Sequence, residues 1–187
     1  MTRDMTGLAA TPMTAEELAR LSIPDKSVEL VRGRLVVREP PGTRHGDLAG
    51  RLYVRVANFV EVHELGVAYP QDTGFRIRTE PDTVRAPDVA FVARERVHLV
   101  PPTGYATLAP DLVAELLSPD DRPGEVLAKV ADWLEAGTRL VWVVDPRRGE
   151  AHVHRLDASL SVVDAGGALD GEDVLPGFTC PLRDVLG

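Results

Sequence analysis

The segment LVAELL at residues 112–117 decides the fold, because it predicts a buried strand with one carboxylate, Glu115, in its middle. The next run, at residues 124–136, predicts a helix that ends at Gly137. The run LVWVV at residues 140–144 then predicts another strand. Helices that alternate with strands are typical of an α/β fold, so we expect a mixed β-sheet with helices packed against it.

The chain before this segment predicts an N-terminal helix, a hairpin and a long helix. Thr14 and Glu17 form a capping-box pattern, which predicts a short helix that begins there. Two β-rich runs at residues 28–31 and 35–39 predict a hairpin. Apolar residues at spacings of three and four predict a long amphipathic helix over residues 43–65.

Period-two runs predict the remaining strands, and a final helical turn is expected near the end of the chain. The strands are expected at residues 67–70, 75–78, 87–92, 151–155 and 160–163, and the turn at 182–186. We expect residues 1–12 to be a flexible leader and residues 13–187 to form a single domain.

The composition restricts the class of protein. The 187 residues are 44% hydrophobic, which argues against wholesale disorder, and the formal net charge is −8. No apolar run approaches the ~18 residues that would span a membrane. The single cysteine, Cys180, excludes a disulfide framework and a multi-cysteine zinc site. We therefore expect a soluble cytoplasmic protein with no membrane partner.

The net negative charge does not exclude a nucleic-acid partner, because residues 26–100 carry more basic than acidic side chains. Six arginines in this region could follow a phosphate backbone, or could simply form a solvated face. They are Arg44, Arg51, Arg55, Arg76, Arg78 and Arg85.

Three carboxylates lie where a protein core normally excludes charge. Asp88 begins a predicted strand, Glu115 interrupts another, and Glu29 lies in the hairpin. A buried carboxylate is costly unless another group pairs with it. Each could instead face solvent on a one-sided sheet, but two such strands joined by a long loop favour a shared site.

Carboxylates that converge on one point repel each other, so they require a cation. Oxygen ligands favour a hard ion such as Mg²⁺ or Mn²⁺, which binds through few carboxylates and keeps several waters. Such an ion activates a bound water and neutralises charge on a phosphate. A nearby lysine would orient the water and stabilise the developing negative charge.

Several segments together resemble the bacterial Uma-type (Uma2) family of restriction-endonuclease-like nucleases. Pro87-Asp88 and Glu115 on separate strands resemble the short PD-(D/E)XK motif of that superfamily. The wider match covers about residues 11–187. Its segments are ELVRGRLV at 29–36, His45 at the start of the long helix, RAPDVAF at 85–91, PDLVAELLSP at 110–119, Lys129, and GTRLVWVVDP at 137–146.

The resemblance implies a restriction-endonuclease-like core and a metal-dependent phosphodiesterase, with Asp88 and Glu115 as ligands of Mg²⁺ or Mn²⁺. The superfamily motif places a lysine two residues after the glutamate, where this chain has Leu117. In Uma-type proteins this lysine lies on the following helix, and Lys129 matches that position. The alternative is that Lys129 forms an exposed pair with Glu125 at i,i+4 spacing.

Lys129 is notable because the chain has only two lysines among its 21 basic residues. A desolvated lysine can lose its proton near a cation, whereas an arginine effectively cannot. We therefore expect Lys129 to position or activate the attacking water.

Two further residues match family positions. Glu29 would bind the metal directly or through water, or would face solvent on the hairpin. His45 would contact metal-bound water or phosphate, or would make only a local hydrogen bond at the start of its helix. His152 and His154 share one strand face and could bind zinc, but no third ligand is evident.

These observations together predict a metal-dependent endonuclease that hydrolyses DNA. Cutting both strands of a duplex suits a twofold arrangement, so we expect a homodimer. The net charge predicts low non-specific affinity for DNA. The alternatives are a non-catalytic module that keeps the fold for binding or assembly in a mobile-element or defence system, and a hydrolase of smaller phosphate esters.

Overall fold

The computed structural model describes residues 11–187, so the leader expected over residues 1–12 lies outside the described residues except for its last two positions. None of the helices in the described range has the length and hydropathy needed to cross a membrane. The helices are α1 (Ala15–Arg20), α2 (Thr43–Val62), α3 (Pro123–Glu135), α4 (Leu182–Leu186) and a 3-10 helix (Arg94–Leu99). The strands are β1 (Ser27–Val31), β2 (Arg34–Arg38), β3 (Gly66–Pro70), β4 (Phe75–Arg78), β5 (Thr83–Arg85), β6 (Val89–Ala93), β7 (Leu112–Leu116), β8 (Leu140–Asp145), β9 (Glu150–Arg155), β10 (Leu160–Val163), β11 (Ala168–Asp170) and β12 (Thr179–Pro181).

A mixed six-stranded sheet forms the centre of the molecule, with strand order β10-β9-β8-β7-β6-β3. Strands β7 and β8 are parallel, and the other neighbouring pairs are antiparallel. Parallel neighbours require a crossover connection, which α3 provides between them. The crossover therefore lays α3 over one face of the sheet.

The two faces of this sheet bury different side chains. Along β7, Leu112, Ala114 and Leu116 pack in the cluster that includes α2, whereas Val113 packs in the cluster that includes α3. Because side chains alternate along a strand, Glu115 shares the α3 face with Val113. The sequence of β7 thus places one carboxylate beneath a helix.

A smaller four-stranded sheet, with order β2-β1-β5-β4, carries the N-terminal hairpin. Strands β1 and β5 are antiparallel, and Leu30 pairs with Val84. This register places Glu29 beside Arg85. Helix α1 covers the same sheet, and its Leu18 is fully buried against Leu30 and Val84.

The predicted α/β fold with a mixed sheet, flanking helices, an N-terminal helix and a hairpin is confirmed. The capping box is present, with reciprocal hydrogen bonds between Thr14 and Glu17. One boundary differs: β6 begins at Val89, so Asp88 precedes the strand, and its carboxylate accepts the Leu116 N–H of the neighbouring strand. The three-residue strands β5, β11 and β12 were not expected, because so few residues show no periodicity.

Asp82 offers a test of how α1 is held to the small sheet. Its carboxylate is 5% exposed and accepts hydrogen bonds from the Ala15 N–H (2.7 Å) and from Arg76 (2.8 Å). Asp82→Ala leaves a buried N–H unpaired, so we expect the free energy of unfolding to fall by about 2 kcal/mol in urea denaturation.

The matched control is Glu16→Gln, because Glu16 is the exposed partner of the same arginine (2.9 Å). We expect this variant to change the free energy of unfolding by less than about 0.5 kcal/mol. Equal effects of the two substitutions would contradict the anchoring role of Asp82.

Candidate active site

A cleft of about 600 Å³ opens where the small sheet meets the end of β7 and the start of α3. The residues that line it come from both sheets and from two helices. They include all five site residues predicted from the sequence: Glu29, His45, Asp88, Glu115 and Lys129.

Glu115 is the carboxylate beneath α3, and both of its oxygens are paired. Lys129 Nζ donates a hydrogen bond to Oε2 over 2.8 Å, and Trp133 Nε1 donates to Oε1 over 2.9 Å. Lys129 and Trp133 lie four residues apart on α3 and therefore project from the same side of the helix. These two donors explain how a strand interior accommodates a charge that is 8% exposed.

Glu29 is also buried, so the solvent-facing alternative is wrong. Its Oε2 accepts a hydrogen bond from Arg85 (2.9 Å), and its Oε1 accepts one from the Ala86 N–H (3.0 Å). The same Oε1 lies 3.5 Å from Lys129 Nζ. Burial alone would raise the pKa of Glu29, but the charges of Lys129 and Arg85 and the Ala86 N–H outweigh it and lower the pKa.

Asp88 is held at the end of the neighbouring strand. Its Oδ2 accepts the Leu116 N–H over 2.7 Å and lies 3.4 Å from His45 Nε2. His45 Nε2 also lies 3.0 Å from the Leu116 carbonyl oxygen, so it faces two acceptors and carries the proton. The contact with Asp88 raises the pKa of His45. Both contacts to Asp88 involve Oδ2, and neither occupies Oδ1.

Arg85 and Asp132 belong to the same network, and sequence reasoning missed this role for both. The Arg85 Nε and a terminal nitrogen donate to Asp132 Oδ2 over 3.1 and 2.6 Å. Asp132 lies on α3 three residues after Lys129, so the network leads from α3 through Arg85 and Glu29 back to α3. The sequence did carry one signal for Asp132, because this acidic residue directly precedes an apolar tryptophan, Trp133, on a predicted helix.

Four charged side chains lie together at the base of the cleft, called here the cleft floor, and interact with one another: Glu29, Asp88, Glu115 and Lys129. Burial raises the pKa of Glu115 to about 7, because the charge of Lys129 only partly offsets the desolvation and the charges of Asp88 and Glu29. Burial would lower the pKa of Lys129, but Glu115 and Glu29 outweigh it and raise the pKa above its usual value. Glu115 and Glu29 therefore favour the charged form of Lys129.

The residues of the cleft floor fit a divalent cation. The described residues contain no group of three or more His, Cys, Asp or Glu side chains arranged to hold a metal. Mg²⁺, however, binds through one or two carboxylates and keeps several waters. Four carboxylates in the network (Glu29, Asp88, Glu115 and Asp132) face two cationic side chains (Lys129 and Arg85), so an ion would meet an excess of carboxylates there.

Two alternatives from the sequence find no support in the side-chain contacts. Lys129 pairs with Glu115 and Glu29, whereas Glu125 lies near Arg38 (3.9 Å) and Arg122 (3.8 Å). The rings of His152 and His154 are 6.4 Å apart, and His152 Nε2 lies 3.2 Å from Glu150. Within residues 11–187 no third ligand completes a zinc site there.

The six arginines that could follow a phosphate backbone or form a solvated face do not line the cleft. Most of them are engaged elsewhere, because the chain is rich in carboxylates. Arg51 pairs with Asp47, Arg55 donates to the Arg51 carbonyl, Arg76 pairs with Glu16 and Asp82, Arg78 pairs with Glu135, and Arg85 is buried.

Comparison with known proteins agrees with this architecture. A crystal structure described as a "putative nuclease belonging to DUF820" from Anabaena variabilis ATCC 29413 matches with a TM-score of 0.79 over 94% of this chain and 98% of that chain. The two sequences are 19% identical, so the match shows a shared fold. No curated protein matches the chain. The family model Uma2, described as "Putative restriction endonuclease", matches residues 15–183, and the chain therefore belongs to the Uma2 family.

Proposed function

We propose that this protein is a nuclease that uses Mg²⁺ or Mn²⁺ to hydrolyse phosphodiester bonds of DNA. The observation that carries the proposal is the partly buried Lys129–Glu115 pair, 2.8 Å apart, in a cleft that Asp88 also lines. A lysine beside two carboxylates provides both a place for a cation and a donor for an anion. The nuclease description of the family supports the same reaction class.

Asp88 and Glu115 would hold the metal ion. When bound, the ion would neutralise phosphate charge and lower the pKa of a bound water. His45 and the Leu116 N–H fix Asp88 Oδ2, so this carboxylate needs little rearrangement to accept a ligand on its other oxygen. Fixed ligands of this kind give a site its geometry before the substrate arrives.

Lys129 would stabilise the negative charge that develops on the phosphoryl group. Its Nζ lies between Glu115 and Glu29, which keep it protonated and hold it at the cleft. A fixed cation of this kind stabilises a transition state without reorganising during the reaction. Glu29 would act on the reaction through Lys129, because it contacts this lysine and is itself fixed by Arg85.

Nuclease activity depends on Asp88 and Lys129 under this proposal. We expect wild-type protein to cleave plasmid DNA when Mn²⁺ or Mg²⁺ is added and to be inactive in EDTA. Asp88→Ala and Lys129→Ala should each lower the cleavage rate by about 100-fold or more, because the first removes a ligand of the metal ion and the second removes the cation that would stabilise the phosphoryl charge.

The matched control is Lys26→Ala, which removes the only other lysine of the chain. Lys26 pairs with Glu39 at the surface and does not line the cleft. Its cleavage rate should stay within about twofold of wild type, as is typical of an exposed pair. Unchanged activity in both Asp88→Ala and Lys129→Ala would contradict the proposal.

Metal binding can be measured without any substrate. We expect Mn²⁺ to bind folded wild-type protein in titration calorimetry and to raise its melting temperature, because a ligand of the native state stabilises it. Asp88→Asn and Glu115→Gln should abolish both effects, whereas Glu64→Gln, an exposed control paired with Arg94, should preserve them.

Folded wild-type protein that binds no Mn²⁺ or Mg²⁺ would favour the non-catalytic alternative. Cleavage of small phosphate esters but not of DNA would favour the third alternative. The homodimer expected from duplex cleavage stays a prediction, which size-exclusion chromatography with light scattering would test.

A further inference from the structure

The lining of the cleft carries far more negative than positive charge. Lys129 and Arg38 are the only lysine and arginine among the described residues that line it. They face eight carboxylates: Glu29, Glu39, Asp72, Asp88, Glu115, Asp120, Asp121 and Glu125. A nucleic-acid strand that enters the cleft therefore meets few groups that attract its phosphates.

The two cationic residues differ in how they are engaged. Lys129 donates a hydrogen bond to Glu115 over 2.8 Å. Arg38, at the end of β2, lies 3.7 Å from Asp121 and 3.9 Å from Glu125, distances beyond a hydrogen bond. Its side chain is 44% exposed. Arg38 is thus the cleft cation that is most readily released to a ligand.

The two carboxylates near Arg38 belong to the opposite wall of the cleft. Asp121 lies in the loop before α3, and its Oδ2 accepts the Ser118 N–H over 2.7 Å, which fixes its position. Glu125 lies in the first turn of α3. Arg38 therefore reaches across the mouth of the cleft from the hairpin toward this wall.

We propose that Arg38 binds a phosphate of the nucleic-acid strand that enters the cleft, and that Asp121 and Glu125 compete with this phosphate for its guanidinium. This inference rests on the proposed function and names a substrate-binding residue for it. A phosphate can accept two parallel hydrogen bonds from an arginine, which is stronger than the loose pairs seen here.

Under this competition, substitutions of Arg38 and of Asp121 change the affinity for the nucleic-acid strand in opposite directions. Loss of Arg38 removes one phosphate contact and weakens binding. Neutralising Asp121 frees Arg38 and removes a repulsive charge, so binding becomes tighter. A purely structural role for the Arg38–Asp121 contact would instead give both variants the same sign, since either one breaks the contact.

The test is fluorescence anisotropy with a labelled single-stranded oligonucleotide whose phosphorothioate linkages keep the backbone charge and resist cleavage. With Mg²⁺ at low salt, Arg38→Gln should raise Kd about 5-fold or more, and the slope of log K against log salt should fall by about 0.7, as expected for one lost contact to a single strand. Asp121→Asn should lower Kd about 2-fold or more, because its amide oxygen can still accept the Ser118 N–H while the negative charge is lost.

The matched control is Arg122→Gln. Arg122 is 82% exposed, also lies near Glu125 (3.8 Å), and does not line the cleft. Its Kd and salt slope should stay close to wild type. An equal effect of Arg38→Gln and Arg122→Gln, weaker binding by Asp121→Asn, or no binding by wild type would each overturn the inference.

This experiment separates the inference from the proposed function. Thermal melts of the variants verify that each one folds. If wild type binds the oligonucleotide with the expected pattern but never cleaves unmodified DNA, the proposed function fails and the role of Arg38 in phosphate binding stands. If cleavage depends on Asp88 and Lys129 but not on Arg38, the proposed function stands and the role of Arg38 in phosphate binding fails.

Discussion

A carboxylate in the middle of a buried strand constrains much of this structure. Glu115 lies on the face of β7 that α3 covers, and a charge there is costly unless donors reach both oxygens. Lys129 and Trp133 on α3 are those donors. Helix α3 must therefore cross β7 with Lys129 and Trp133 facing the sheet. The same crossover connects β7 to its parallel neighbour β8.

The same constraint connects the two sheets. Lys129 lies near a second carboxylate besides Glu115, because Glu29 of the small sheet is 3.5 Å away. Arg85 then pairs with Glu29 and with Asp132, which returns the network to α3. Both cations of the network pair with carboxylates from other elements, so the hairpin, β7 and α3 are held at one place. The negative charge left over is concentrated at the cleft.

The sequence predicted the local elements well, because helical and strand periodicity is written in neighbouring residues. It also led to all five residues that meet at the cleft, since carboxylates in apolar runs and a rare lysine stand out. It did not reveal Arg85 or Asp132 as partners, because their pairing joins strands and a helix that are distant in the chain. It also did not reveal that Glu29 lies 3.5 Å from Lys129, because this approach requires the second sheet.

The acidity of the cleft bears directly on how a phosphate strand could enter it. A negatively charged backbone is repelled by the carboxylates that line the opening, and this repulsion is strongest when no cation is bound. A divalent ion at Asp88 and Glu115 would offset part of this negative charge, so under the proposed function ion binding must favour strand binding, and strand binding must favour ion binding by the same factor. The net charge of −8, which by itself seems to oppose nucleic-acid binding, then makes strand binding dependent on the metal ion.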